Sequence, residues 1–288
     1  MSAGDANLRL LLSEIGIGSG RHHAATGALF IAAFEISFIG LAVAQALGEY
    51  ALGVPPVAVA VLVWGVWTCW HSWLFPRNRL RYVQRERAYR TAFARDIYPW
   101  VTLGFCQMWR PLFNGDTVAR LMRGPIDFVQ TLSPVAVITG AALGSAALVT
   151  MISAIRSIGI ANAAFVPEFR EPGAFVPVER GIYAHFPHPL FWSGIVFSCG
   201  LAVAIWTPTA LLIAAVNLVY GFCYGPLERR RLGRVFGVAY TSYTSRVAAW
   251  PIPGVRSTKA RAGRWVVASR LGRYVSDIRA NARVSIRR

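Results

Sequence analysis

The chain has 288 residues, of which 55% are hydrophobic and 15% charged, with a formal net charge of +17. An average soluble domain carries roughly 25% charged residues, and the apolar residues here are gathered into long runs rather than scattered. These features exclude a soluble globular fold, and the alternating segments of about ten residues that mark an outer-membrane barrel are absent.

In hydrocarbon every backbone N–H and C=O must find its partner within the chain, so the apolar runs are expected to be helices. Residues 25–47 form the first. Mixed residues precede this run and no small-residue cleavage pattern follows it, so it is expected to stay as a span and not to be removed as a leader. Glu35 lies near its middle, where a charge costs at least about 2.5–3.5 kcal/mol. That side chain must be protonated, paired or turned toward a polar cavity. A structural contact with His71 or a backbone carbonyl and a role in function are both open.

Residues 52–76 form the second span, in which Trp64, Trp67, Trp70 and Trp73 recur at every third position. An aromatic belt at the membrane interface is the plain reading, and a wall of a substrate pocket the sharper one. A third, weaker crossing falls on Tyr98–Phe113, with Pro99 and Pro111 near its ends; a re-entrant segment is its alternative. The run at 129–155 contains Gly140 and Gly144 in a Gly-x-x-x-Gly pattern, which signals close helix packing. The apolar stretch 190–224 breaks at Pro208 into a hairpin. The expected fold is thus all-α: a polytopic integral membrane bundle of about six transmembrane helices.

Seven arginines lie between Arg77 and Arg95, and half of all Lys and Arg follow Tyr224, while 47–55 and the break at Pro208 carry none. Basic loops stay in the cytoplasm. Both termini, the motif region after residue 156 and the basic tail are therefore expected on the cytoplasmic side, with a bacterial inner membrane as the expected location. Three segments result: N-terminal spans with a basic loop (1–128), a core (129–253) and a basic tail (254–288). The four cysteines, in or beside apolar runs and without a Cys-x-x-Cys pair, are expected to be buried reduced thiols.

The core holds the chemistry-bearing residues. Gly181 permits a tight turn. Pro189 suits the first position of a helix, whose exposed N–H groups favour an anion. Glu228 is the only acid between Glu179 and Asp277 and stands where the hairpin re-enters the basic side, beside Arg229 and Arg231. Phe236, Tyr240 and Tyr243 share a helical face. The chain contains no phosphate-binding glycine loop, no zinc-type Cys/His cluster and no nucleophile elbow, and no metal site is expected.

Taken together these segments resemble one family. Gly181-x-Tyr183, then four residues, then His188-Pro189 is similar to the G-x-Y-x4-H-P motif of the isoprenylcysteine carboxyl methyltransferase and phospholipid methyltransferase superfamily. Glu228-x3-Leu232-x3-Phe236-Gly237-x2-Tyr240-x2-Tyr243 falls in register with its second signature, and Arg156-Ser-Ile-Gly159 looks like its upstream element. Pro187 stands where the family has Arg, and Arg229 where it has a second Glu.

The resemblance implies methyl transfer from S-adenosylmethionine to an amphipathic acceptor (a carboxylate, thiol, amine or phospholipid) that enters from the lipid bilayer. Gly181, Tyr183, His188, Pro189, Phe191, Glu228 and Tyr240 are the implied cofactor-binding residues. Arg229, Arg231 and Glu35 are the candidates for acting on the acceptor. The His-Pro-Leu-Phe-Trp form also resembles the NnrU branch. That likeness implies the alternative of a haem-binding membrane protein or isomerase, with His188 and His185, His71 or the His22–His23 pair on the iron. A non-enzymatic membrane scaffold is the third option. The tail after Pro253 reads as a basic amphipathic helix on anionic lipids, with no nucleic-acid partner expected.

Overall fold

A computed structural model describes residues 3–17, 23–84, 87–170, 177–185 and 187–247. The tail expected to form an amphipathic helix, His22 and the side chain of His23 lie outside the described residues. Among those residues the chain is all helical, with no strand.

A short α1 (Ala3–Ile15) precedes α2 (His23–Leu52). Beyond the turn at Gly53, α3 (Pro56–Cys69) continues through a π-helical turn (Trp70–Leu74) into α4 (Phe75–Tyr82). In the same way α5 (Ala88–Ala92), a second π turn (Phe93–Ile97) and α6 (Tyr98–Cys106) form one rod. Two short helices, α7 (Gly115–Arg123) and α8 (Pro125–Gln130), lead to α9 (Pro134–Ile158). The chain then passes through α10 (Ile160–Ala163) and 3-10 turns at Val166–Phe169 and Gly181–Ala184. A hairpin of α11 (Pro189–Ile205) and α12 (Pro208–Phe236) follows, and α13 (Val238–Arg246) ends the described chain.

The helix starts follow from sequence. Proline opens α3, α8, α9, α11 and α12, where its missing N–H is one of the unpaired groups of a first turn in any case. Ser133 and Thr207 accept from the backbone N–H groups of Ala136 and Ala210, capping α9 and α12. Each π turn lies immediately before a proline-bearing turn, at Pro76 and Pro99. The wider π turn accommodates a residue that cannot donate to the helix ladder.

Among the described residues four segments are long and apolar enough to cross a membrane: Ala25–Leu52, Pro56–Tyr82, Pro134–Ile158 and Pro208–Phe236. Their outward faces are apolar; Leu29, Ile36, Leu62, Ile138 and Val149 are all exposed. The hairpin's first arm, α11, has 17 residues, the lower limit for a bilayer-spanning helix at about 1.5 Å per residue. The segment expected as a weak third crossing differs from its expected place. Its helix does not run over 98–113 but starts at Ala88 and stops at Cys106, and residues 107–113 turn. Proline at 99 falls inside the rod because the π turn absorbs it.

Polar contacts tie this rod and the turn after it to neighbouring segments. At one end Asn78 donates to Asp96 and Tyr89 to the carbonyl of Ala164. At the other, Arg110 pairs with Glu49 beside the α2–α3 turn, and the Gly115 N–H donates to the same carboxylate at 3.0 Å. Arg110 is fully buried, and Glu49 neutralises its charge.

The centre of the bundle is tied by polar groups between helices. The Trp64 indole donates to Asn217 at 2.7 Å, and Asn217 in turn donates to the Gln107 carbonyl and to Ser198. Such bonds hold helices together where lipid offers no alternative partner. α9 and α11 cross with glycine against glycine: a Cβ at Gly140 would lie 2.4 Å from the Gly200 carbonyl oxygen. The expected close packing at Gly140 and Gly144 is present. The expectation for the cysteines holds only in part, because Cys106 is buried whereas Cys69 and Cys223 are exposed on the outward faces of α3 and α12. A thiol is apolar enough to face hydrocarbon.

Candidate functional site

A cavity of about 340 Å³ lies inside the bundle. One end is polar and is formed where α11, α12, α13 and the Val166–Phe169 turn converge. Glu168, Tyr183, His188, Tyr224, Glu228, Arg231, Tyr240 and Tyr243 all line it. The remainder is apolar and aromatic, with walls from α2, α3 and the 88–106 rod.

Glu228 is the hub of the polar end. It lies eight residues after Tyr220 and four after Tyr224 on α12, so these groups share one face. The Arg231 guanidinium donates to both its oxygens, Nε to Oε2 at 2.7 Å and an Nη to Oε1 at 2.5 Å. Its other Nη pairs with Glu168, and the guanidinium carbon lies 4.3 Å over the Phe165 ring. Two buried carboxylates thus share one arginine. The Tyr224 hydroxyl donates to Glu228 Oε2 at 2.8 Å, and the His71 imidazole lies 3.3 Å from the same oxygen. Glu228 Oε1 accepts from Arg231 and keeps a further acceptor site.

His71 comes from the π turn after α3, is fully buried, and stacks on Trp67 with ring centroids 4.9 Å apart. The π turn changes which face this residue presents, and so brings the N-terminal spans into the polar cluster. His71 meets Glu228 and Tyr224. The suggested Glu35–His71 contact is not formed. Of the four tryptophans, Trp64 and Trp67 line the cavity and Trp70 is wholly buried, while Trp73 alone is exposed. The pocket-wall reading fits Trp64 and Trp67, Trp70 packs in the core, and the interfacial belt fits Trp73 alone.

His188 caps α11 in the left-handed region at φ 57°, and its Nε2 lies 3.5 Å from the Tyr240 hydroxyl. Burial, together with the nearby Arg229 and Arg231 charges, pushes the imidazole pKa down to about 4. Burial raises the phenols of Tyr183 and Tyr240, and that of Tyr243 goes up to about 12. These hydroxyls therefore stay protonated as donors. Tyr243 donates to the Tyr183 carbonyl at 3.0 Å, pinning α13 to the Gly181–Ala184 turn. Phe191 lies with its ring 4.3 Å from that of Tyr224.

Of the residues singled out in the sequence, the fold brings together Tyr183, His188, Phe191, Glu228, Arg231 and Tyr240. Gly181, at φ 61°, and Pro189 shape the backbone around the site and do not line the cavity. Arg229 does not line it either. Glu35 does, but from its apolar half. Glu168 and His71 join the site without having been assigned to it by sequence. The surplus of arginines around a single acid was a signal for a second acid such as Glu168; no signal pointed to His71.

The His188 pKa gives a pH prediction. The unfolded chain's histidine takes up a proton near about pH 6.5, whereas folded His188 resists until about 4. Between these values the unfolded state binds more protons, so this group's contribution is intact above the upper value and is lost as pH falls toward the lower. Thermal inactivation should therefore come at a lower temperature at about pH 5 than at about pH 7. His188→Gln should flatten that difference. An unchanged pH slope in the variant would remove His188 from the account.

Residues 135–239 match the family model described as phospholipid methyltransferase. No curated protein and no solved structure matches the chain.

Proposed function

We propose that the chain is an S-adenosylmethionine-dependent membrane methyltransferase of the isoprenylcysteine and phospholipid methyltransferase superfamily, a reading supported by the match of residues 135–239 to the phospholipid methyltransferase family model. The family match and the apolar helices support a membrane methyltransferase; the donor, the acceptor and the site assignments are our reading. The observation that carries it is the convergence of Tyr183, His188, Glu228 and Tyr240 at one end of a cavity whose other walls are apolar.

The residues suit such a donor. S-adenosylmethionine supplies, when bound, an electrophilic methyl group on a sulfonium cation. The cavity volume falls within the range of about 300–1,000 Å³ typical of small-molecule sites. Glu168 and Glu228 against Arg231 leave an excess of carboxylate, which favours a cation. The Phe191 and Tyr224 rings offer π faces to the same charge. Neutral His188 and the first N–H groups of α11 would hold the cofactor's carboxylate. The free acceptor site on Glu228 Oε1 would take its ammonium or a ribose hydroxyl.

Arg231 is already held by two carboxylates, so in this reading it positions Glu228 rather than gripping an anionic acceptor. The protein's task in methyl transfer is mainly to bring donor and acceptor into line while excluding water. The site is proposed to face the cytoplasm of a bacterium, with the basic tail held on anionic lipid. Nothing in the arrangement favours haem: His71 is engaged by Glu228 and Tyr224, and His185 is exposed.

The test is transfer of labelled methyl from S-adenosylmethionine into lipid-extractable product by the protein in nanodiscs. Label should appear with the wild type and drop at least about a hundredfold in Glu228→Gln, as expected when a charged contact worth roughly 3 kcal/mol is lost. If wild-type protein presented with a total lipid extract transfers no label, the reading fails.

A further inference from the structure

The cavity's apolar half is lined by Phe30, Phe34 and Phe38 of α2, Trp64 and Trp67 of α3, and Phe105 of α6, all outside the family match. One carboxyl group interrupts it, that of Glu35. Its situation contrasts with that of Glu49 on the same helix. Glu49 is closed off by Arg110 and by the Gly115 N–H, and does not line the cavity. Glu35 is half-buried and lines the cavity. A carboxyl group at this depth in a span marks a functional site by default.

The cavity therefore presents a reacting end at His188 and Glu228 and, within its aromatic half, the carboxyl group of Glu35.

We propose that Glu35 is the recognition point for a hydroxyl group carried on the apolar body of the methyl acceptor, away from its reacting head. A hydroxyl can donate to a carboxyl or, more strongly, to a carboxylate oxygen, so the match is available in either protonation state of Glu35. A plain acyl or alkyl chain leaves this acceptor without a donor from the ligand, in surroundings where that carries a penalty. The acceptor class is thus a lipid hydroxylated along its chain. This inference rests on the methyltransferase reading only for which end of the ligand reacts.

The experiment titrates the protein in nanodiscs with decyl phosphoethanolamine and with its ω-hydroxydecyl counterpart, following heat and subtracting empty nanodiscs. Wild-type protein should bind the hydroxylated probe about tenfold more tightly, the ratio expected for one net hydrogen bond. Glu35→Gln keeps an acceptor and should keep part of the preference; Glu35→Leu should abolish it while still binding the plain probe. Equal wild-type affinities, binding of neither probe, or the full preference surviving in Glu35→Leu would each overturn the proposal. S-adenosylmethionine titrated into the same samples reads the other end of the cavity. Discrimination between the probes without donor binding would uphold Glu35 recognition and remove the methyltransferase reading instead.

Discussion

Replacing Arg231 with methionine should destabilise the protein by about 3–5 kcal/mol, the cost of removing one partner from a buried ion pair. The expectation comes from the geometry of three side chains. Arg231 holds Glu228 through two hydrogen bonds and Glu168 through a third, and both acids are buried. Without the guanidinium, two carboxylates face each other in a water-poor site. The double variant Arg231→Met with Glu168→Gln removes half of that conflict and should recover part of the loss. Thermal inactivation of detergent-solubilised protein measures both. A single variant as stable as the wild type would show that Arg231 does not hold the cluster.

The second large effect is expected at the α9–α11 crossing. A Cβ on Gly200 would lie 2.8 Å from the Gly140 carbonyl oxygen and 2.8 Å from the Gly144 nitrogen, and one on Gly140 would meet the Ala204 nitrogen at 2.6 Å. These are backbone atoms of packed helices, so neither side can yield by rotating a side chain. Gly140→Ala should cost about 1–3 kcal/mol through overpacking, and Gly140→Leu should prevent recovery of folded protein. Gly40→Ala and Gly65→Ala are the controls, because nothing lies within 4 Å of a Cβ at either position. There the better helix propensity of alanine should leave stability unchanged or slightly raised. Recovery of monodisperse protein and its melting temperature read the contrast. Equal behaviour at positions 40 and 140 would contradict the packing described.

Both effects lie at positions of different legibility. The Gly-x-x-x-Gly pattern stands in the sequence because its consequence is local to one helix face, and the partner had only to be another small-residue face, here Gly200 and Ala204. The grouping of His188 with Glu228 and Tyr240 was legible because motif spacing places each at the same end of a hairpin. His71 and Glu168 were not, since each reaches Glu228 from a segment with no motif of its own. The His71 contact depends on a π turn, which hydrophobic periodicity at 3.6 residues does not reveal. For the same reason the third crossing was expected too late: Pro99 reads as a boundary, yet the π turn before it lets the helix continue from Ala88 to Cys106. The tryptophan series was ambiguous because a three-residue repeat suits an interface and a pocket wall alike. Only packing against Tyr220, stacked 3.7 Å from Trp64, separates them.

The central claim, that the His188–Glu228 end of the cavity is a methyl-donor site, is tested most directly by calorimetric titration of S-adenosylmethionine into the full-length protein, in detergent and in nanodiscs. The account predicts saturable binding at one site per chain, weakened at least about tenfold in His188→Ala and in Glu228→Ala, as the loss of one charged hydrogen bond requires. It predicts no change in Glu179→Ala, whose carboxylate pairs with Arg246 on the exposed surface. Absence of binding to the wild type in both media, or binding that neither His188→Ala nor Glu228→Ala weakens, would contradict it.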